Sequence, residues 1–127
     1  MKYVHKLDAM QSGTLAPDDF GHLDHIGVDF IAIERFGPFE AMSIMARGIK
    51  EIASKANAPT KYNATVTMAS VSLIAERMEM ADYRSAEDFI DINADLMTKA
   101  FLVEQYDDQR LNDPKLRMIP LLPKVQF

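Results

Sequence analysis

His22 and His25, with Asp18 and Asp29 on either side, are the residues of this 127-residue chain best suited to chemistry. Spacings of four, three and four residues put the four side chains within about 60° of arc on one helix, since each residue turns it by roughly 100°. Neutral imidazole is the commonest metal ligand and a proton carrier near neutral pH. Two histidines and an aspartate also match the donor sets of zinc and non-haem iron sites. The line therefore reads as a solvated helix face, as the wall of a ligand pocket, or as part of a metal site on His22 and His25.

The element that carries the line helps to weigh these readings. A helix is expected from about Pro17 to Phe36, with Pro17 in its first turn and Asp18 and Asp19 at the positive end of its dipole. Leu23, Ile26, Phe30 and Ile33 recur at i, i+3, i+7 and i+10, the pattern of a core stripe. The histidine line lies roughly 130° of arc from the centre of that stripe, which favours water, although Val28, Ala32 and Phe36 border it.

A second polar line supplies the pocket reading. Asn63, Thr67 and Ser70 fall at i, i+4 and i+7 of an otherwise apolar helix expected over about Thr60 to Met80, with Tyr62 beside them. That helix is expected to bury Val66, Ala69, Leu73 and Tyr62, with Val71, Ile74 and Met78 widening the stripe. Thr and Ser can satisfy themselves by bonding back to the preceding turn. If the line faces the histidines, its amide, hydroxyl and phenol groups are suitable partners for buried imidazole.

Between these two helices another carries Met42, Met45, Ile49 and Ile52, opened by Pro38 after Gly37 and ended near Ala56-Asn57-Ala58 by Pro59. Ser85 before Ala86-Glu87-Asp88 marks a further helix start. Asn93 is expected to cap a segment carrying Leu96, Met97, Ala100 and Phe101, and Asp113-Pro114 to open a short turn. Residues 1–16 read as an irregular N-terminal segment, and 118–127 as an extended apolar tail broken by Pro120 and Pro123. Glu76, Arg77 and Glu79 read as a solvated helix end. No stretch alternates convincingly, so the fold class is all-α: an up-and-down bundle of four main helices plus short helical turns, in one domain over 1–127.

Composition removes several classes of function. The chain has no cysteine, which excludes disulfides, thiolate nucleophiles and thiolate-bound metals. Its net charge is −5, with basic residues scattered singly, so it lacks the footprint of a nucleic-acid binder. No run approaches the ~20 apolar residues of a membrane span, and no leader is visible, so the default address is the cytoplasm. Neither a nucleophile elbow nor a Gly-rich phosphate loop is present.

Several motifs taken together resemble an uncharacterised family of small bacterial all-helical proteins. The resemblance rests on Phe20-Gly21-His22-Leu23-Asp24-His25-Ile26, then Lys61-Tyr62-Asn63-Ala64-Thr65-Val66-Thr67, then Leu73-Ile74-Ala75-Glu76-Arg77. It continues through Leu102–Tyr106 to Arg110-Leu111-Asn112-Asp113-Pro114 and covers about residues 20–123. The family pattern runs H-x-x-H-L, Y-H-x-T-x-T and L-I-x-x-R, and no activity is established for it. The resemblance implies that His22, His25, Tyr62 and Thr67 form one recurrent set. Asn63 stands where the pattern has histidine, so a three-histidine metal site is incomplete here.

The expected function is therefore small-ligand binding in a polar pocket lined by His22, His25, Asp29, Tyr62, Asn63 and Thr67. A non-catalytic homo-oligomer or protein-interaction module is the alternative, motivated by the Met118–Pro123 tail and nine methionines. A histidine-based metal-dependent enzyme comes third. No cofactor is indicated.

Overall fold

The computed structural model describes residues 1–96 and 98–124, and all regular structure among them is helical. Seven α-helices follow in order: α1 (Lys2–Ser12), α2 (His22–Phe36), α3 (Pro38–Lys55), α4 (Ala64–Met80), α5 (Ala86–Ile92), α6 (Lys99–Gln105) and α7 (Asp108–Leu111). Single 3₁₀ turns occupy Pro17–Asp19, Pro59–Lys61 and Pro114–Leu116.

Local chemistry sets most of these boundaries. Gly37, at φ 83°, ends α2 and lets Pro38 begin α3 at once, as the sequence predicts. Asn63 caps α4 by accepting from the Val66 N–H at 3.1 Å, and Ser85 caps α5 by accepting from the Asp88 N–H at 3.1 Å. Asp113 likewise accepts from the Lys115 N–H, before the expected turn at Pro114. From Pro120 to Lys124 the chain has no regular structure, as two prolines require; residues 125–127 lie outside the described residues.

Helix α2 is the hub of the molecule, packing against α1, α3, α4 and α5. Every residue from Ile26 to Ile33 is buried, on all sides of the helix. The core around it joins Tyr3, Leu7 and Met10 of α1 to Ile44 and Met45 of α3, Val71 and Ile74 of α4, and Phe89 of α5. Phe89 packs tilted against Phe30 at 5.3 Å and meets Tyr83 edge-on at 4.8 Å.

Four expectations need correction here. Residues 1–16 are not irregular, because Lys2–Ser12 is helix α1, closed by Gly13 in the left-handed conformation at φ 77°. The helix expected from Pro17 begins only at His22. Gly21 is its cap, and the Asp24 carboxylate reaches back to the Gly21 N–H at 2.8 Å. Asn93 ends α5 instead of starting a new helix, and Thr98 caps α6; Met97 lies outside the described residues. Arg77 is half-buried and donates to buried Asn93 at 2.9 Å, so this part of α4 is not simply a solvated end.

Candidate functional site

The four-residue histidine line breaks up in three dimensions. Asp18 sits in the 3₁₀ turn before α2, off the helix altogether. His22, the first helical residue, is exposed. His25, one turn in, is largely covered, and Asp29, a further turn in, is fully buried. The solvated-face reading therefore fails at Asp29: a helix surrounded by four others has no wet side once it enters the bundle. The stripe is corrected in the other direction as well, because Leu23 lies in the first turn and is 49% exposed.

On α4 the buried side matches the one expected only at Val71 and Ile74, with Tyr62 buried as expected just before it. Ala64, Thr65, Thr67, Ser70, Val71 and Ile74 are buried, whereas Val66, Ala69 and Leu73 are only partly so. Polar residues can occupy that side because they satisfy themselves locally. Thr67 Oγ1 donates to the Asn63 carbonyl at 3.0 Å and Ser70 Oγ to the Val66 carbonyl at 2.7 Å.

The two polar groups do meet. His25, Asn63 and Thr67 line one cleft of ≈ 410 Å³, whose apolar wall is Ile49, Val66, Leu102 and Leu111. Asn63 is fixed by two bonds, since its Oδ1 caps α4 and its Nδ2 donates to the Leu111 carbonyl at 2.7 Å. Tyr62 faces an adjoining cleft of ≈ 350 Å³ with Phe20, which shares Ile49 and Lys61 with the first. Burial pushes the Tyr62 phenol up, and the Thr67 hydroxyl beside it works in the other direction. The Phe20 ring, which lines the second cleft, lies 5.6 Å from that of His25.

Behind His25 lies the least satisfied group in the interior. His25 Nε2 and Asp29 Oδ2 are 3.4 Å apart, and neither Nε2 nor either Asp29 oxygen makes a hydrogen bond. Burial raises the Asp29 carboxyl well above the ordinary carboxylate range. Burial, helped by the neighbouring His22, lowers the His25 imidazole from 6.5 to about 4. Both shifts favour a neutral pair, with the proton on Asp29 and the lone pair of Nε2 facing it. Nδ1 must then carry the other ring hydrogen. In that form Nδ1 is the only N–H donor of the ring.

Sequence reasoning missed the cationic half of this cleft. Lys61, Lys99 and Arg117 also line it, with Asn112. They come from a 3₁₀ turn, the start of α6 and the tail, so no helical spacing links them. Among the described residues no group of three or more His, Cys, Asp or Glu side chains is placed to hold a metal, and His22 and His25 point to different surroundings. No described helix is long and apolar enough to cross a membrane. Compared with protein-family models, curated proteins and solved structures, the chain has no match.

Proposed function

We propose that this chain binds a small ligand in the cleft between α2, α4 and the α6–α7 arm. His25 acts as a fixed donor there, with Asn63 and Thr67 on the opposite wall. One observation carries the reading: a buried His25–Asp29 pair without hydrogen bonds stands directly behind a cleft lined by polar groups from another helix. Burying an unpartnered carboxyl is costly, and such arrangements concentrate at functional sites. Asp29 stands 3.4 Å behind the imidazole, Tyr62 supports Thr67 from the adjoining cleft, and His22 stays outside. The scaffold is taken to be an up-and-down bundle with α2 as its axis. The tight Gly37 turn and the short link through Pro59–Lys61 support that topology.

A fragment screen read by NMR tests the reading. Bound compounds are expected to shift His25 and Thr67 signals together, and His25→Ala is expected to abolish that response while the protein stays folded. Binding that leaves both signals unmoved would refute it.

A homo-oligomer remains the second reading, favoured by Met118, Ile119 and Leu122, which are 58%, 50% and 71% exposed on the tail. Analytical ultracentrifugation of the wild type and of a Met118→Ser/Leu122→Ser double variant decides it. A dimer that the double variant dissociates supports this reading, and a monomer at high concentration removes it.

A further inference from the structure

Building on the proposed ligand cleft, we infer that its ligand is an organic anion: a carboxylate or phosphate monoester on a short apolar body. The chain carries 19 acidic and 14 basic residues, so an average patch of its surface is acidic. The cleft reverses that balance. Lys61, Lys99 and Arg117 line it, and no carboxylate does. Among the described residues none of the three is in an ion pair, a condition they share with Arg47, Lys50, Arg110, Lys115 and Lys124; what sets them apart is that they line one hollow together.

Three cations lining one hollow that no carboxylate lines make it locally positive, which favours an anion there over a neutral molecule. The neutral members of the lining agree with this. The neutral His25 ring lines the cleft and can donate from one nitrogen, while the Asn112 amide is already engaged with the Asp108 carbonyl and carboxylate at 2.9 and 2.8 Å. Opposite them, Ile49, Val66 and Leu102 make a wall that a phosphate or chloride ion alone would leave uncovered. The apolar body is inferred from that wall. Arg117 is the member best suited to bidentate contact with a carboxylate or phosphate, and Lys99, exposed at the cleft mouth, acts as a point charge.

The experiment uses matched pairs of probes on the full chain: hexanoate against hexanamide, and butyl phosphate against butanol, with inorganic phosphate alone as a further arm. Affinities come from NMR titration of the His25 and Thr67 signals. Each anion is expected to bind at least tenfold more tightly than its neutral partner and more tightly than inorganic phosphate. The comparison of hexanoate with butyl phosphate shows which oxyanion is preferred. Added salt is expected to weaken the anions selectively. Lys99→Gln and Arg117→Gln should each reduce anion affinity about tenfold, the scale of one charge-assisted hydrogen bond, and leave the neutral probes unchanged. Lys99→Arg should keep the affinity, and unchanged thermal melting shows that the variants are folded. If neutral and anionic partners bind equally at the cleft, the anion inference is overturned while the ligand site stands. If neither kind of probe shifts His25 or Thr67, both are overturned.

Discussion

Asp29 is the residue where chemistry and stability can be separated. Its ordinary carboxyl value is 3.8, and burial raises it well above that in the folded chain. Above pH 3.8 the unfolded chain releases this proton and the folded chain keeps it, so rising pH opposes folding until the folded value is passed. His25 has the opposite sign. With its folded value lowered from 6.5 to about 4, the unfolded chain binds the extra proton between those limits, and stability rises with pH across them. The two slopes oppose each other wherever the windows overlap, and the His25 slope ends at 6.5. Asp29→Asn keeps the shape and a donor toward Nε2 but removes the titration. Urea unfolding at a series of pH values from about 4.5 upward is expected to show the variant gaining on the wild type for as long as Asp29 stays protonated in the folded chain, by up to about 1.4 kcal/mol per pH unit. An offset that does not change with pH would mean that Asp29 is already ionised in the folded protein.

At the scale of elements, what was legible depended on whether a signal was local. Caps and breakers read well: Gly37-Pro38, Ser85 and Asp113-Pro114 each act within three residues and do what their chemistry predicts. Helix α1 reads as irregular in the sequence even though its buried residues Tyr3, Leu7 and Met10 fall at i, i+4 and i+7, because three apolar positions among charged residues make a faint stripe. What the sequence hides is how close helices come. A methyl group at Gly27 of α2 would overlap the Tyr3 ring of α1, and one at Gly48 of α3 would overlap the Met10 side chain. Tyr3 is rigid and Met10 can swing aside. Gly27→Ala is therefore expected to cost about 1–3 kcal/mol in urea unfolding, and Gly48→Ala clearly less. Equal losses would show that the α1–α2 contact adapts as readily as the α1–α3 one. The cap of α4 gives a second pair of variants. Asn63→Ala loses both the cap and the bond to Leu111 and should cost about 1–2 kcal/mol. Asn63→Asp keeps the acceptor and loses only the donor, so thermal stability should suffer less while the Leu111 methyl signals still shift.

Across the whole molecule, the cleft joins two parts held in different ways. Its inner wall belongs to the helices around α2, locked by the main core. Its outer wall is α6, α7 and the tail, whose buried anchors are Leu102 and Leu111 and whose other ties are hydrogen bonds. The Ala64 N–H donates to the Arg117 carbonyl at 2.8 Å, and the Thr65 hydroxyl donates to the Ile119 carbonyl while accepting from the Leu121 N–H. Lys124 N–H reaches the Gln105 carbonyl at 2.7 Å. This division explains why half of the site was readable in the sequence. Asn63 and Thr67 lie on one helical repeat and His25 on another, whereas Lys99 and Arg117 arrive through contacts between segments far apart in the chain, which no periodicity encodes. It also orders the local stabilities. Amide exchange is expected to be slowest in α2 and the facing parts of α3 and α4, and markedly faster at Leu121 and Lys124, because few buried apolar contacts hold the tail. Saturating hexanoate should slow the Leu121 and Lys124 amides most, since an anion held by Arg117 ties the outer wall to the inner one, and it should leave the α2 amides nearly unchanged. Uniform slowing across the chain would place the bound anion somewhere other than between these two walls.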